Sequence, residues 1–268
     1  MKVTVFNLQG KSTGKIDLPS VFSVDFRPDL ITRAVLALQS LRRQPYGSDE
    51  LAGLRTSAHY HGRRRIRWTM MMRDMARMPR LHATSPHLTW RARKVPQAVK
   101  GRRAHPPKVE KVWVQKINEK EYRLALRSAI AATAKKEIVE KRGHKIERIK
   151  ELPLVVKDKI ESVKRTKDLE KLLSLLGLEE ELKKIKVKKI RAGKGKLRGR
   201  KYKKKVGPLI IVKKDEGIKK ACKNLPGIDV KEVNKLSVED LAPGASPGRL
   251  TLWSESAIKE LSGLDGSL

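Results

Sequence analysis

Pro208-Leu209-Ile210-Ile211-Val212 is a proline followed by four large aliphatic residues with nothing polar between them. A strand with one wet face alternates apolar and polar residues. An unbroken apolar run of this length therefore reads as a strand buried on both faces, as in a parallel sheet covered by helices. Outward from it the same two elements alternate. Downstream come a helix over 216–222, a strand at Ile228-Asp229-Val230, a short helix over 237–241, and a strand at Leu250-Thr251-Leu252-Trp253 whose end, Ser254, caps a last helix. Upstream lies a helix over 179–185. Before it, Thr166 caps a helix carrying Leu169, Leu172, Leu173 and Leu176 and stopped by Gly177, and Leu154-Val155-Val156 forms a strand behind Pro153. Asn118 and Glu121 open a helix whose stripe is Tyr122, Ala125, Leu126, Ala129, Ile130 and Thr133, expected to run towards Arg142-Gly143.

Near the N-terminus, strands at 3–6 and 15–18 flank Gly10 and Gly14 as a hairpin. Pro28-Asp29 then opens a helix with Leu30, Ile31, Ala34, Val35, Leu38 and Leu41 on one face, Arg42-Arg43 in its last turn and Pro45 as its stop. The expected fold is α/β: a single domain with a mainly parallel sheet covered by helices, built from residues 1–43 and 113–268, and a long extended basic loop, 44–112, inserted after the first helix. No internal repeat is visible.

The chain has 268 residues, 63 Lys+Arg against 29 Asp+Glu, and a formal net charge of +34. Such a chain repels itself when compact unless negative charge is supplied. Nucleic acid is the commonest polyanion that fits, because each neutralised phosphate releases counterions. Charged residues make up 34% of the chain, above the roughly 25% of an ordinary domain, so a modest core with extended basic segments is expected. No apolar run spans a bilayer and no basic amphipathic helix carries an aromatic edge, which argues against a membrane partner. Met1-Lys2-Val3-Thr4-Val5-Phe6 reads as a strand and not a signal peptide. The one cysteine, Cys222, leaves no intramolecular disulfide and no cysteine zinc site, and is read as a core residue. These features point to a soluble, cytoplasmic polyanion binder.

Two stretches concentrate the charge. Within 44–112 periodicity is lost and arginine is dense, opposed by few acids, Asp49, Glu50 and Asp74 among them. Five of the six histidines, His59, His61, His82, His87 and His105, fall there too. The stretch is too long for an ordinary connection and too poor in large aliphatics to fold alone, so it reads as an arm that orders on its partner. Residues 186–205 are a lysine-rich run without a single acid, hard to read as a solvated face, which normally mixes signs. Arginine with Tyr46, Tyr60, Trp68 and Trp90 suits phosphate forks and base stacking. The absence of a helix-turn-helix, zinc finger or leucine zipper favours RNA over duplex DNA.

Other motifs give way to plainer readings. Gly10-Lys11-Ser12 resembles the end of a phosphate-binding loop, but Val5 stands where its first glycine belongs and a strand follows. Gly193, Gly195 and Gly199 miss the dinucleotide spacing and suit a chain pressed on phosphates. His59-Tyr60-His61 offers two imidazoles, where a metal site wants three or four ligands, and Arg63, Arg64 and Arg65 oppose a cation. Stacking or hydrogen bonding to RNA is the reading taken, with no metal and no cofactor. Met70-Met71-Met72, Met75 and Met78 read as packing within the arm. No nucleophile elbow is present, and the acids of the body read as salt-bridged helix faces, so no enzyme and no small-molecule substrate are expected.

Several segments carry a family likeness: Ala76-Arg77-Met78-Pro79-Arg80; Val95-Pro96-Gln97-Ala98-Val99-Lys100-Gly101-Arg102-Arg103-Ala104-His105-Pro106-Pro107; residues 191–200; Leu241-Ala242-Pro243-Gly244 with Gly248-Arg249-Leu250-Thr251-Leu252-Trp253; Leu152-Pro153-Leu154; and Leu225-Pro226-Gly227. In order and spacing the chain resembles the large-subunit ribosomal protein L-four family, in its archaeal and eukaryotic branch. The resemblance implies an α/β body on the outside of the large subunit. It also implies a loop, 44–112, reaching the nascent-peptide exit tunnel beside ribosomal protein L-twenty-two, with Arg77 and Arg80 in the loop core, and no enzymatic activity. Family loops are usually glycine-rich before Arg-x-Pro-Arg, whereas residues 60–75 here are bulky. The lack of a long C-terminal extension favours an archaeal source.

The expected contacts to large-subunit ribosomal RNA are, in the arm, Arg55, His59, Tyr60, His61, Arg63, Arg64, Arg65, Arg67, Trp68, Arg73, Arg77, Arg80, Trp90, Arg91, Arg93, Lys94, Lys100, Arg102, Arg103 and Lys108. In the second run they are Arg191, Lys194, Lys196, Arg198, Arg200, Lys201, Lys203 and Lys204. The rival reading is an RNA-processing or RNA-modifying enzyme with a basic substrate arm, which needs a metal or cofactor site in the body.

Overall fold

A computed structural model describes residues 1–67, 69–82 and 84–264. In chain order the elements are β1 (Lys2–Phe6), β2 (Ser12–Asp17), α1 (Pro28–Leu41), α2 (Glu119–Ala134), α3 (Lys136–Lys141), β3 (Leu154–Val156), α4 (Thr166–Leu175), α5 (Glu179–Lys186), β4 (Lys189–Ile190), β5 (Tyr202–Lys203), β6 (Leu209–Val212), α6 (Ile218–Cys222), β7 (Asp229–Glu232), α7 (Val238–Leu241), β8 (Thr251–Ser254) and α8 (Glu255–Leu264). Six strands form one sheet in the order β2-β1-β3-β8-β6-β7. Only the β1–β2 hairpin is antiparallel; β1–β3, β3–β8, β8–β6 and β6–β7 are parallel. The mainly parallel α/β reading is borne out.

The apolar strands explain why the sheet is covered on both sides. Side chains alternate faces along a strand. Val155, Leu209, Ile211 and Trp253 join one buried cluster with residues of α1, α2, α7 and α8. Their neighbours Leu154, Val156, Ile210, Val212 and Leu252 join a second cluster with α4, α5 and α6. Register locks this: Val155 lies opposite Trp253 and Ile210 opposite Leu252, so a one-residue slip would exchange the two faces. Trp253 is fully buried, meets Phe22 edge-on at 5.5 Å between ring centres, and donates its indole N–H to Thr251 Oγ1 at 3.1 Å. Cys222 is buried in the second cluster and its thiol is pushed up to about 12, first by burial.

Several boundaries differ from the sequence expectation, among them β2, which begins at Ser12 and not at Lys15. α1 ends at Leu41, so Arg42-Arg43 lie beyond its last turn; Pro45 has no N–H to give the Leu41 carbonyl, and the ladder cannot extend. The stretch 119–143 is not one helix. Lys135 is extended (φ −88°, ψ 110°) and separates α2 from α3. α2 fills the first cluster whereas Val139 of α3 belongs to the second, so the chain has to change direction between them. Asn118 occupies the cap position of α2 without a side-chain cap bond, and Thr166 is the first helical residue of α4 and not its cap. Ser254 does cap α8, accepting from the Ala257 N–H at 3.2 Å.

The chain divides into two compact units, Met1–Leu41 with Val114–Leu268, and Arg42–Trp113. The second holds no helix or strand among its described residues. Turns and isolated bridges, His59 to Arg80 and Arg80 to Ala92, organise it. Its ends are tied by a Ser48 N–H bond to the Pro107 carbonyl at 3.1 Å and by Tyr46 stacked on Trp113 at 5.4 Å, with Arg43 over the same indole at 4.0 Å. Ala58 and Met70 are completely buried, while Met72 is exposed. No helix among the described residues is long and apolar enough to cross a membrane.

Candidate nucleic-acid interface

In the first unit the acid-free run folds into a two-stranded antiparallel hairpin, β4 with β5, extended by an Arg191 N–H bond to the Lys201 carbonyl at 2.8 Å. Its register sets Lys189 directly opposite Lys203 and Ile190 opposite Tyr202. Like charges facing across a hairpin destabilise it, and a two-stranded ribbon is marginal in water without help. Lys194, Lys196, Arg198, Arg200, Lys201, Lys203 and Lys204 are exposed; Arg191 is half-buried and donates through Nε to the Arg200 carbonyl at 3.0 Å, which holds the turn.

Beside the hairpin, Lys141, Lys184, Lys189, Lys203, Lys204 and Lys205 line a single groove. Sequence reading named Lys203 and Lys204 as contacts, and Lys189 and Lys205 lie in the same basic run. Lys141 and Lys184 come from α3 and α5, and no local pattern announces that they join this surface. The groove's floor is held by two buried assemblies. Arg142 donates to the Pro243 carbonyl at 3.0 Å, and burial, then the Arg249 charge, lowers it to about 10. Glu181, fully buried, accepts from His144 Nδ1 at 2.7 Å, from the Lys145 N–H at 2.8 Å and from Lys184 Nζ at 2.9 Å. Burial pushes the Glu181 carboxyl up, but these donors together outweigh it and hold it below its ordinary value. Burial first of all lowers His144 and keeps the imidazole neutral.

The carboxyl ends of parallel strands are where open α/β sheets hold their ligands. Here Glu161 fills that place. It accepts from Ser254 Oγ at 2.7 Å, the Lys213 N–H at 2.9 Å and Ser256 Oγ at 2.9 Å, tying the ends of β6 and β8 together. Glu161 and Glu181 correct the expectation that the acids of the body are solvated helix faces; both are buried and bonded, and apart from Lys184 their partners lie far away in sequence.

In the second unit, Arg55, His59, Tyr60, Arg63, Arg64, Arg65, Arg67, Arg73, Arg77, Arg91, Lys100, Arg102, Arg103 and Lys108 are exposed, and His61, Arg80, Trp90, Arg93 and Lys94 are half-buried. Trp68 lies outside the described residues. Some of these cations already serve the protein. Arg80 donates to the Trp90 carbonyl at 2.8 Å and the Ala76 carbonyl at 2.9 Å, Arg93 to the Val99 carbonyl, and Arg55 pairs with Asp49 at 2.6 Å. Arg73 sits 4.6 Å over the Trp90 ring. Gly101 has to be glycine, because a Cβ there would collide with the Val95 carbonyl oxygen. Arg65, Met72, Trp90, Lys94 and Lys100 all adopt left-handed backbone, an unfavourable region for residues with a Cβ. His82 lies beside His59 and His61, a proximity that spacing alone did not show.

Residues 16–264 match the Ribosomal protein L4/L1 family. The chain is 51% identical over 262 residues to the large ribosomal subunit protein uL4 of Archaeoglobus fulgidus, covering 97% of this chain and 98% of the relative. It is 48% identical over 264 residues to that of Nanoarchaeum equitans (97% of each). It is 45% identical over 264 residues to that of Methanosphaera stadtmanae, covering 98% of this chain and 97% of the relative. The family likeness read from the motifs is borne out over nearly the whole length: the chain belongs to the Ribosomal protein L4/L1 family, as a non-enzymatic protein of the large ribosomal subunit.

Proposed function

We propose that this protein is a structural scaffold that binds and stabilises folded large-subunit ribosomal RNA through two cationic surfaces, the hairpin with its lysine groove and the loop 44–112. The loop's inner part reaches the wall of the nascent-peptide exit tunnel, beside ribosomal protein L-twenty-two. The observation that carries the reading is the facing Lys189–Lys203 pair in a hairpin with no acid from 186 to 205. Such an element gains stability when a phosphate backbone lies along it. Left-handed arginine and lysine backbone in the loop supports the same reading, since strain of this kind persists where surroundings hold it. The tunnel placement rests on family likeness alone. The expected result is co-sedimentation with the large subunit in moderately high salt, and chemical crosslinks from residues 60–80 to RNA in intact subunits. Recovery only among free proteins, or crosslinks to no RNA, overturns the reading.

A further inference from the structure

His59 and His61 alternate along an extended segment, so both imidazoles leave the same side of the chain. The bridge between His59 and Arg80, with N–H to carbonyl bonds of 3.3 and 3.1 Å, brings the segment carrying His82 alongside. The three rings then cluster: centroids are 4.2 Å apart for His59–His61, 4.8 Å for His59–His82 and 4.9 Å for His61–His82. One ring nitrogen from each lies within 4.8 Å of the others.

The tautomer of His59 follows from its neighbour. Nδ1 lies 3.0 Å from the Ser57 carbonyl oxygen, which can only accept, so Nδ1 carries the proton and the neutral ring presents a bare lone pair at Nε2. That is the orienting bond a metal-bound histidine makes to an outer-shell carbonyl. The lone pair faces Nε2 of His61. Two nitrogens bound to one tetrahedral zinc ion are about 3.3 Å apart, so small side-chain rotations convert this contact into shared coordination. His82 is half-buried and supplies the third imidazole from the segment that the Arg80 bridge brings alongside.

We propose that His59, His61 and His82 form a zinc site that ties the two ends of the 59–82 excursion together, with an exchangeable ligand such as water in the fourth position. Sequence spacing offered two imidazoles and surrounding arginines, which argued against a cation. The fold supplies the third ligand, removing the objection from ligand count. The arginine charge remains and will weaken affinity in the free chain more than on RNA, where phosphates offset it. The site gives the excursion a crosslink that Met70, its buried side chain among the described residues, does not provide alone. It does not depend on the RNA reading, and the two can fail separately.

The test uses the full chain, stripped with chelator and titrated with zinc chloride, and large subunits assembled with it. One zinc per chain is expected, lost by at least about 100-fold in affinity in His82→Gln and in His61→Gln, more than loss of an outer-shell partner costs. Binding should be retained in His87→Gln and His105→Gln, which alter exposed histidines outside the cluster. Cobalt(II) in place of zinc should show the visible absorption of a tetrahedral nitrogen site. Uptake by assembled subunits alone, with one zinc fewer in His82→Gln subunits, also supports the site and assigns its order to RNA. No stoichiometric uptake in either form, or equal uptake by wild type and His82→Gln, overturns it.

Discussion

Arg249 is the most instructive single residue of the body. It is almost fully buried, yet its guanidinium donates to the Gly207 carbonyl at 2.8 Å, the Asp240 carbonyl at 3.0 Å and the Gly227 carbonyl at 3.3 Å, and meets the Asp229 carboxylate. One side chain thus ties the approach to β6, the turn before β7 and the end of α7. Arg249→Met should remove a donor from three inward-facing carbonyls and cost about 3–5 kcal/mol, read as a lower urea midpoint, with the RNA-facing surface unchanged. Gly248 precedes it at φ +83°, with Ile138 Cγ2 2.7 Å from where a Cβ would stand; Gly248→Ala should cost about 2 kcal/mol or more by the same measurement. Glu181 and His144 set a pH dependence of one sign. The carboxyl is depressed, so its contribution is present above its unfolded value and lost as pH falls through the folded one. The imidazole is also depressed, so below about 6.5 the unfolded chain takes up a proton before the folded chain does. The urea midpoint should drop between about pH 7 and about pH 5, and drop less in His144→Gln, whose amide donates to Glu181 without titrating. A midpoint rising on acidification contradicts the assignment. None of these roles was readable along the chain, because each depends on partners brought together by the fold: 9 to 42 residues away for Arg249 and for the Glu181–His144 pair, and farther still for Gly248 against Ile138.

At the scale of elements, the hairpin β4–β5 separates stability from binding. Lys203→Glu would set a carboxylate opposite Lys189 and should stabilise the isolated hairpin by about 0.2–1 kcal/mol. The same change should weaken RNA binding across sequences and lower the salt slope by about one. Filter binding over a salt series, with thermal unfolding of the free protein, checks both; unchanged binding means the hairpin does not face phosphate. Most elements were legible because their signals are local. Leu209-Ile210-Ile211-Val212 declares a doubly buried strand, and Leu169, Leu172 and Leu173 a helix with one apolar face. What failed was what tertiary structure decides: the break at Lys135, where the chain passes from one face of the sheet to the other, and the cap at Asn118, whose side chain makes no cap bond. The basic run was legible as a charge but not as a hairpin, since two-residue strands leave no periodicity to read.

For the whole molecule, the division into units predicts unequal stability. Met1–Leu41 with Val114–Leu268 is built on a sheet with two buried clusters, whereas the described part of Arg42–Trp113 has turns, two isolated bridges and left-handed backbone at Arg65, Met72, Trp90, Lys94 and Lys100. Regions with few buried apolar groups and exposed backbone open locally at little cost. Trypsin should therefore cut the free protein first at the exposed arginines between 63 and 77, leaving the body intact. Bound ribosomal RNA should protect those sites, with protection fading as salt rises, because affinity falls by about 0.7–0.9 log units per log unit of salt for each phosphate neutralised. A net charge of +34, with an acid-free run at 186–205 and a loop in which cations far outnumber acids, makes that dependence steep. Equal resistance with and without RNA would mean that the second unit holds itself together, and that its charge is not what orders it.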